Sequence, residues 1–352
     1  MGKPVCPEGM NLVGVDIAID LGTSNTRIYI SGKGKFLDEP SVVTINLDND
    51  EIVAVGSEAY SMIGRTSARL SSIEPIVGGV ISDFYLVENL IRTQLGKANL
   101  SRVVKPRVVA CIPGEITDVE KRAVVNSVLS IGVRSVSLIE SAKAAAIGAG
   151  LDIRSPHGRL VLDMGGGTTD IAVISLGDIS ASRSMKVGGN SFDEEIIKYV
   201  RRKYNLIIGR VTAAKAKLEI GSVVKPEEDR SCIIKGRNTV TGLPQAVEIH
   251  CGELYEILAE TAQTVIAQIR DVLEEAPPEL VGDIYRDGIT LTGGGVLLNG
   301  FDKLIEETVK LDAHIANDPA DCVINGCGAS LKYIGQAEID ENGAVNPLSM
   351  PY

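Results

Sequence analysis

The chain contains 352 residues, carries a net charge of −11 and has no tryptophan. Aromatic residues make up only 4% of it, so neither a base-stacking surface nor general nucleic-acid binding is expected. The length predicts two domains, and no apolar stretch is long enough to span a membrane. The six cysteines form no CxxC pair, which argues against zinc, and free cysteines without a signal peptide predict a cytoplasmic protein.

A short pattern occurs twice, once near the start of the chain and once near its middle. The first copy runs from Ile19-Asp20-Leu21-Gly22 to Thr26, and the second from Leu162-Asp163-Met164-Gly165 to Thr169. In each copy an apolar residue precedes Asp, Gly follows Asp by two positions, and Thr follows it by six. Apolar and polar residues alternate around both copies, which predicts strand, tight turn and strand. The repeat therefore indicates two related half-molecules.

Each turn has the composition of a phosphate-binding hairpin. Glycine permits positive φ angles and a close approach of backbone to ligand, and turn N–H groups form concave anion sites. An Asp beside a phosphate requires a cation between them, and Mg²⁺ suits this place because it keeps several of its waters. We therefore expect Asp20 and Asp163 to face one magnesium-bound triphosphate from opposite sides. Two ordinary hairpins are the alternative, but these would not require a matched Asp and Thr.

Between the two hairpins the sequence predicts an inserted subdomain followed by alternating strands and helices. Residues 32–80 have the short strands and turns of such an insertion, and the apolar run 108–112 predicts a buried strand. Thr117 and Glu120 form a capping box that opens the next helix. A strand at 135–139 and an Ala-rich helix at 141–149, closed by Gly150, complete this half.

The second half follows a similar course. Ser191 to Glu194 has the pattern of another capping box, and residues 206–249 predict further short strands with a helix near 212–220. An amphipathic helix spans about 252–275, and the strand at 289–291 leads into the turn Gly293-Gly294-Gly295. Such a turn can place a phosphate or sugar at a helix N-terminus, although a plain strand-to-helix connection is equally compatible. The alternation predicts α/β architecture with the ligand between the halves.

The two hairpins and the Gly293 turn resemble motifs of the superfamily of actin, sugar kinases and heat-shock-chaperone ATPases, and most strongly those of the MreB family of bacterial actins. Further likeness runs through 75–83, 120–122, 144–150, 201–206 and 318–328, and so covers nearly the whole chain. The resemblance implies an actin-like, ribonuclease H-like fold of duplicated α/β domains with two smaller inserted subdomains. It places the first core in 1–31, 81–150 and 323–340, its insertion in 32–80, the second core in 151–187 and 250–322, its insertion in 188–249, and a C-terminal tail in 341–352.

The same resemblance implies ATP and Mg²⁺ as ligands and assigns roles to residues. Asp20 and Asp163 would organise Mg²⁺ and water, and Lys217 would lie near the ribose. The phosphates would be held by Gly22, Thr23, Ser24, Asn25, Gly165, Gly166, Gly167 and Thr168. Gly293, Gly294 and Gly295 would contact the adenosine side. The remaining candidates at the reacting phosphate are Thr168, Glu140 and Ser141.

Two departures from the family pattern concern hydrolysis and sugar binding. Relatives carry a glutamate that orients the attacking water at the position occupied here by Ser141. Glu140 lies one residue earlier, and successive helical residues point about 100° apart, so Glu140 need not substitute. Loss of one positioning group costs on the order of 10²-fold in rate. Ala214 replaces a second glutamate that contacts the ribose in relatives. We therefore hypothesise slow ATP hydrolysis, unless Thr168, Glu140 or a water takes over.

The function implied by the resemblance is a cytoplasmic filament protein. It would polymerise with itself or with paralogous actin-like subunits into membrane-associated filaments that position cell-wall synthesis proteins and set cell shape. Prolines and glycines in residues 1–14 oppose an N-terminal membrane helix, and 95–104 is a candidate membrane loop with ordinary core anchors as the alternative. A non-hydrolysing partner in a mixed filament, a small-molecule kinase and a chaperone ATPase are the competing functions. For a kinase we see no evident base for the acceptor hydroxyl, and for a chaperone ATPase we see no substrate-binding domain.

Overall fold

A computed structural model of the chain describes residues 15–98 and 105–333. Predictions that concern residues 1–14, the predicted tail 341–352 and most of the candidate membrane loop lie outside the described residues. Within the described part of the chain, no helix is both long and apolar enough to cross a membrane.

The first half alternates between short strands and helices. In chain order its elements are β1 (Ile17–Leu21), β2 (Asn25–Ile30), β3 (Gly34–Pro40), β4 (Val43–Asn46), β5 (Ile52–Val55), α1 (Ser57–Met62), β6 (Leu70–Ile73), β7 (Ile76–Val77), β8 (Val80–Ile81), α2 (Phe84–Gly96), β9 (Arg107–Ile112), α3 (Asp118–Ser130), β10 (Ser135–Glu140) and α4 (Ser141–Gly148).

The second half continues in the same manner. Its elements are β11 (Arg159–Met164), β12 (Thr169–Ser175), β13 (Asp178–Met185), α5 (Gly189–Tyr204), β14 (Leu206–Ile207), α6 (Arg210–Ile220), β15 (Ser231–Asn238), β16 (Pro244–His250), α7 (Cys251–Glu275), α8 (Pro278–Asp287), β17 (Ile289–Thr292), α9 (Phe301–Val309), β18 (Ala313–Ile315) and α10 (Cys322–Ser330). A short 3₁₀ helix, Gly294–Leu297, lies between β17 and α9, where the sequence predicted a glycine turn.

Two five-stranded sheets with the same topology form the cores of the two halves. The strand order is β10-β9-β1-β2-β3 in one and β18-β17-β11-β12-β13 in the other. In both sheets the hairpin and its third strand are antiparallel, whereas the two outer strands run parallel to the first strand of the hairpin. The predicted duplicated α/β architecture is therefore confirmed by strand order as well as by element type.

Two smaller sheets lie in the insertions. They have the orders β5-β4-β6 and β14-β15-β16, while β7 and β8 form a separate hairpin. One predicted boundary differs from the structure, because β3 pairs with β2 from Asn25↔Pro40 to Ile30↔Gly34. The first core sheet therefore extends to Pro40, beyond the predicted end at residue 31. The alternation in β3 is interrupted by a bulge after Ile28 of its partner strand, which obscured its membership.

Helix starts follow local capping where the side chain can reach the first turn. Thr117 Oγ1 accepts from Glu120 N at 3.3 Å and the Glu120 carboxylate accepts from Thr117 N at 2.7 Å, so the capping box at α3 is confirmed. The box predicted at Ser191 is wrong. Helix α5 begins at Gly189, and the Ser191 hydroxyl accepts instead from Gly188 N at 3.2 Å. Gly188 and Gly189 have no side chain that could cap the helix, so this start could not be predicted from a capping pattern.

Each half has its own hydrophobic cluster, and a third cluster joins the two halves. It contains Ala144 to Ala146 of α4, Ala172 of β12 and Ile324 of α10, all fully buried. Here α4 and α10 approach so closely that a Cβ on Gly326 would lie 1.8 Å from the Ala144 carbonyl oxygen, and one on Gly148 would lie 1.8 Å from the Cys322 oxygen. Small residues are thus required on both helices, and this contact fixes the wall behind the cleft.

We predict that Gly326→Ala destabilises the protein by about 1–3 kcal/mol, because its added methyl group would force α10 away from α4. Gly282→Ala is the matched control, since a Cβ there meets no atom within 4 Å in the interior of α8. The control should be neutral or gain up to about 1 kcal/mol. Urea unfolding of both variants measures the difference, and equal midpoints would refute the tight helix contact.

Candidate nucleotide-binding site

The two predicted hairpin turns face each other across a cleft between the halves. Turn 22–24 connects β1 to β2, and turn 165–168 connects β11 to β12. Together with the Gly293 turn and the start of α5, they line a cavity of about 580 Å³. This volume lies in the range of small-molecule and cofactor sites.

All but one of the residues predicted for the site line this cavity. Those that do are Asp20, Gly22, Thr23, Ser24, Asn25, Ser141, Asp163, Gly165, Gly166, Gly167, Thr168, Lys217, Gly293, Gly294 and Gly295. Glu140 is the exception, since it does not belong to the lining. The three glycine turns, which lie far apart in the chain, are thus brought together by the duplicated sheets.

The first hairpin turn lies close to the second turn and is hydrogen-bonded to the start of α5. Ser24 Oγ donates to Asn190 Oδ1 at 3.2 Å, across the cleft. A Cβ on Gly166 would lie 1.9 Å from Ser24 Oγ, and one on Gly167 would lie 2.4 Å from Thr23 Oγ1. Neither glycine has a positive φ. Of the two reasons that the sequence suggested for glycine, positive φ does not apply here, and close approach of the opposite turn leaves no space for a side chain.

Gly293 differs from the hairpin glycines because its backbone conformation itself favours glycine. Its φ is +84°, and a Cβ would lie 2.2 Å from the Met164 carbonyl oxygen. Its N–H donates to the Pro319 carbonyl oxygen at 2.7 Å. This turn is therefore packed against the end of β11, which places it next to the second hairpin.

Several backbone N–H groups of the turns have no acceptor in the described part of the chain. These are the amides of Thr23, Ser24, Gly166 and Gly167. Unpaired amides facing a cavity form an anion-binding concavity. The N-terminus of α5 adds Gly189 and Asn190 to the same wall, where the helix dipole also favours negative charge. The chemistry of the lining therefore fits phosphate.

The two acidic residues of the repeated motif have different partners. In the first hairpin Asp20 lies opposite Arg27 in register, and their charged groups are 3.5 Å apart. In the second hairpin the equivalent partner of Asp163 is Asp170, another carboxylate. Asp170 is 2% exposed, and its Oδ1 accepts from Gly114 N of the other half at 2.8 Å. The first acid is thus neutralised by the chain, whereas the second faces a like charge.

The electrostatics follow from this difference. Burial, reinforced by the nearby Asp170 charge, raises the pKa of Asp163 to about 7, although Thr292 Oγ1 donates to Asp163 Oδ1 at 2.9 Å. Burial likewise raises the pKa of Asp170 to about 6. Burial also raises the pKa of Asp20, but Arg27 opposes that shift. A divalent cation at Asp163 would offset this cost, so the residues present fit Mg²⁺ with phosphate beside it.

Lys217 lines the same cavity and is held by two acceptors. Its Nζ lies 2.8 Å from Asp193 Oδ1 and donates to the Gly189 carbonyl oxygen at 2.5 Å. Asp193 is only 5% exposed, so the pair is well shielded from water. Ala214, where relatives carry a ribose-binding glutamate, is not part of the cavity lining and lies instead in a second cavity.

Ser141 is engaged by its neighbours on β9. Its hydroxyl donates to the Ile112 carbonyl oxygen at 3.0 Å and lies 3.2 Å from Cys111 Sγ. Glu140 caps the start of α4 without a side-chain capping bond, and burial raises the pKa of its carboxyl against the opposing charges of Lys143 and Lys121. The two neighbours therefore face different surroundings, but the helical step does not explain this, because Glu140 ends β10 in an extended conformation and only Ser141 belongs to α4.

Some lining residues were missed by the sequence interpretation. Gly189 and Asn190 follow β13 in a Gly-Gly-Asn run, the same strand-turn-helix signal that identified the Gly293 turn. Arg27 could have been found from the hairpin register, since it mirrors Asp20 about the turn. Gly79 lies in the β7–β8 hairpin and donates from its N–H to Thr23 Oγ1 at 2.9 Å, a long-range contact without a local signal.

The two core sheets share one topology, and the cleft between them is lined by two glycine turns that each follow an Asp. This combination is that of an actin-like protein. Comparison with known proteins specifies the family: residues 14–339 match the model of the MreB/Mbl protein family, to which this chain therefore belongs. It is 44% identical to the cell shape-determining protein Mbl of Bacillus cereus over 320 residues, covering 91% of this chain and 96% of the relative. It is 42% identical to the cell shape-determining protein MreB of Escherichia coli over 325 residues, 91% and 94% of the two chains.

A solved structure agrees with this assignment. The crystal structure of MreB5 of Spiroplasma citri bound to AMPPNP matches with a TM-score of 0.88 and 40% identity, and covers 92% of this chain and 97% of that one. The same protein bound to ADP matches with a TM-score of 0.87. The predicted actin-like fold and the resemblance to MreB are therefore confirmed.

We predict that the magnesium-free, nucleotide-free protein loses stability as pH rises from about 4 to 7. The unfolded Asp163 loses its proton near pH 4, whereas the folded residue, with a pKa of about 7, retains it, so folding binds a proton in this window. Asp163→Asn keeps an acceptor for Thr292 and should reduce the dependence, leaving the smaller part that comes from Asp170, whose pKa burial raises to about 6. Urea midpoints at pH 5 and pH 8 in EDTA measure it. Parallel profiles for the two chains would contradict the assignment.

Proposed function

We propose that this chain is an ATP-binding, cell shape-determining cytoskeletal protein of the MreB type. The carrying observation is the single cavity in which both acidic hairpins and the Gly293 turn meet. Support comes from the relatives, which are named as cell shape-determining proteins, and from MreB5, whose structures contain ADP and AMPPNP. In this proposal the unpaired turn amides bind the phosphates, and Lys217 and the Gly293 turn bind the nucleoside side.

Mg²⁺ is proposed to bind the phosphates beside Asp163, with Asp20 contributing through water. When bound, it would neutralise charge on the phosphates. Asp163 is the stronger candidate of the two acids because Arg27 already compensates Asp20. Thr292 orients Asp163 by donating to its Oδ1. The protein thus supplies a fixed carboxylate, and the cation would supply the positive charge that balances it.

ATP binding is tested by calorimetry on the full chain. We expect saturable heat with ATP and Mg²⁺ and at least tenfold weaker binding in EDTA. Asp163→Asn should lose most of the Mg²⁺ dependence, because its side chain cannot balance the cation. Asp178→Asn, an exposed acid outside the cavity, is the control and should bind as the unaltered chain does. Absence of any heat from adenine nucleotides would refute the proposed site.

Polymerisation into membrane-associated filaments that position cell-wall synthesis is also proposed, at the cytoplasmic face of the membrane. It rests on family membership. Leu95, one anchor of the candidate membrane loop, is buried in α2, while residues 99–104 lie outside the described residues. We expect the full chain to sediment with ATP and to co-sediment with anionic lipid vesicles. A chain that stays in the supernatant in both assays would contradict this part of the proposal.

Hydrolysis is proposed to be slow because Ser141 replaces the water-orienting glutamate. A serine has no carboxylate to accept a proton from the attacking water, and the Ser141 hydroxyl already donates its own proton to the Ile112 carbonyl oxygen. The same observation favours a second candidate function, a non-hydrolysing subunit in a filament mixed with paralogues. In both cases nucleotide would bind without rapid turnover.

We predict that Ser141→Glu raises phosphate release by about 10-fold or more, because it restores a positioning group at this place. Ser141→Gln has similar size without the charge and is the matched control. Thermal unfolding checks that both variants fold. Phosphate release under polymer-forming conditions is the measurement. If the unaltered chain turned over ATP as fast as a glutamate-bearing relative, slow hydrolysis would be excluded.

A further inference from the structure

One basic residue of the nucleotide cleft lies on a hairpin. Among the described residues, Arg27, Lys217 and Arg230 are the basic residues that line the cavity. Arg27 is the third residue of β2, the strand that follows turn 22–24. The equivalent place in the second hairpin is occupied by Asp170. A positive charge therefore lies next to the first hairpin turn, and a carboxylate lies next to the second.

The guanidinium of Arg27 is held by acids on three segments of the first half. Its Nε donates to Asp38 Oδ2 of β3 at 3.2 Å and lies 3.7 Å from Asp321 Oδ1, just before α10. Its Nη1 lies 3.5 Å from Asp20 Oδ2 of β1. Asn25 Nδ2 donates to the other oxygen of Asp38 at 2.6 Å, so this acid is fixed in turn. Arg27 is thus held at the cavity without a ligand.

The two terminal nitrogens of Arg27 retain donors. A guanidinium presents its N–H groups in a planar fork. Within the described part of the chain, only Nε donates a hydrogen bond to a protein acceptor. Nη1 forms the ion pair with Asp20 at 3.5 Å, which is longer than a charge-assisted hydrogen bond. Such a fork matches two oxygens of one phosphate group, so the free donors fit the anion expected in this cavity.

Two roles are compatible with this arrangement: compensation of the neighbouring acids, and direct contact with phosphate. Two of the three acids around Arg27 have other donors, because Asp321 also pairs with Lys35 and Asp38 also accepts from Asn25. Compensation alone therefore does not account for Arg27. Its place in the cavity lining, with donors unused, favours phosphate contact.

We propose that Arg27 binds a phosphate group of the nucleotide directly. The inference rests on the proposed function and specifies a further ligand residue of that site. Arg27 donates from its terminal nitrogens to phosphate oxygens, from the half of the cleft opposite Asp163. The first half thus carries its cation within the chain, and Arg27 provides a large part of the ATP affinity that persists without Mg²⁺.

The test is calorimetry of ATP binding to the full chain in EDTA, where no divalent cation offsets the phosphate charge. Arg27→Gln should weaken binding about tenfold or more, because charge-assisted hydrogen bonds are lost. Arg27→Lys keeps the charge without the planar fork and should weaken binding about threefold. Arg107→Gln is the matched control. It breaks a bidentate pair with Asp16 beside the same sheet, outside the cavity, and should bind as the unaltered chain does.

A charge-matched variant separates direct contact from compensation. Arg27→Gln combined with Asp38→Asn restores the net charge, and the new side chain keeps an acceptor for Asn25. Asp38 itself lies outside the cavity lining. If Arg27 contacts phosphate, the double variant binds ATP in EDTA about as weakly as Arg27→Gln alone. Recovery of most of the lost affinity would show that Arg27 only offsets the acids and would overturn the proposal, as would normal binding by Arg27→Gln.

The remaining outcomes separate this inference from the proposed function. Thermal unfolding checks that each variant folds. If Arg27→Gln does not fold, Arg27→Lys decides, because compensation predicts unchanged affinity and phosphate contact predicts a loss. ATP binding by the unaltered chain only when Mg²⁺ is present would overturn the inference and leave the proposed function in place. Absence of binding under both conditions would overturn the proposed function itself.

Discussion

The structure of the cleft depends on a buried carboxylate pair that the chain does not neutralise. Asp163 and Asp170 lie directly opposite each other on β11 and β12, and both are nearly inaccessible to solvent. The equivalent pair in the first half is Asp20 with Arg27. The two hairpins therefore differ in charge although they share one topology. In the first hairpin Arg27 offsets the charge of Asp20, whereas in the second a proton or a cation must offset the charge of the two carboxylates. The two sides of the cleft are therefore not equivalent in charge, although their sheets have the same topology.

The same pair couples the halves. Asp170 accepts a hydrogen bond from Gly114 of the first core, while Asp163 faces the cavity. A cation that stabilised the ionised form of one carboxylate would alter the protonation of its neighbour, because like charges on opposed strand positions disfavour joint ionisation. Ligand binding at Asp163 is thereby connected to a contact between the halves. The glycine turns strengthen this connection, since Gly166 and Gly167 leave no space between the second turn and the first.

Much of this arrangement was predictable from sequence, because the motif is local. Asp, Gly and Thr recur at fixed spacing within alternating strands, so the two hairpins and the place of their acids followed from the pattern, while the phosphate contacts stay a prediction. The cross-strand partners did not, since Asp170 opposite Asp163 depends on register, and the ion pair of Glu74 with Arg210 depends on the packing of two insertions. The start of α5 was misplaced because Gly188 and Gly189 carry no capping side chain. The close approach at Gly166 was not predictable, because Ser24, which a Cβ there would meet, belongs to the other half.

The residue at position 141 bears on how long the proposed site would hold one nucleotide. If Ser141 leaves the attacking water poorly oriented, the bound state ends mainly by release rather than by chemistry. In the proposed function, the replacement of the glutamate by Ser141 would therefore leave the residence time of ATP to be set by how fast the nucleotide leaves the cleft rather than by its hydrolysis.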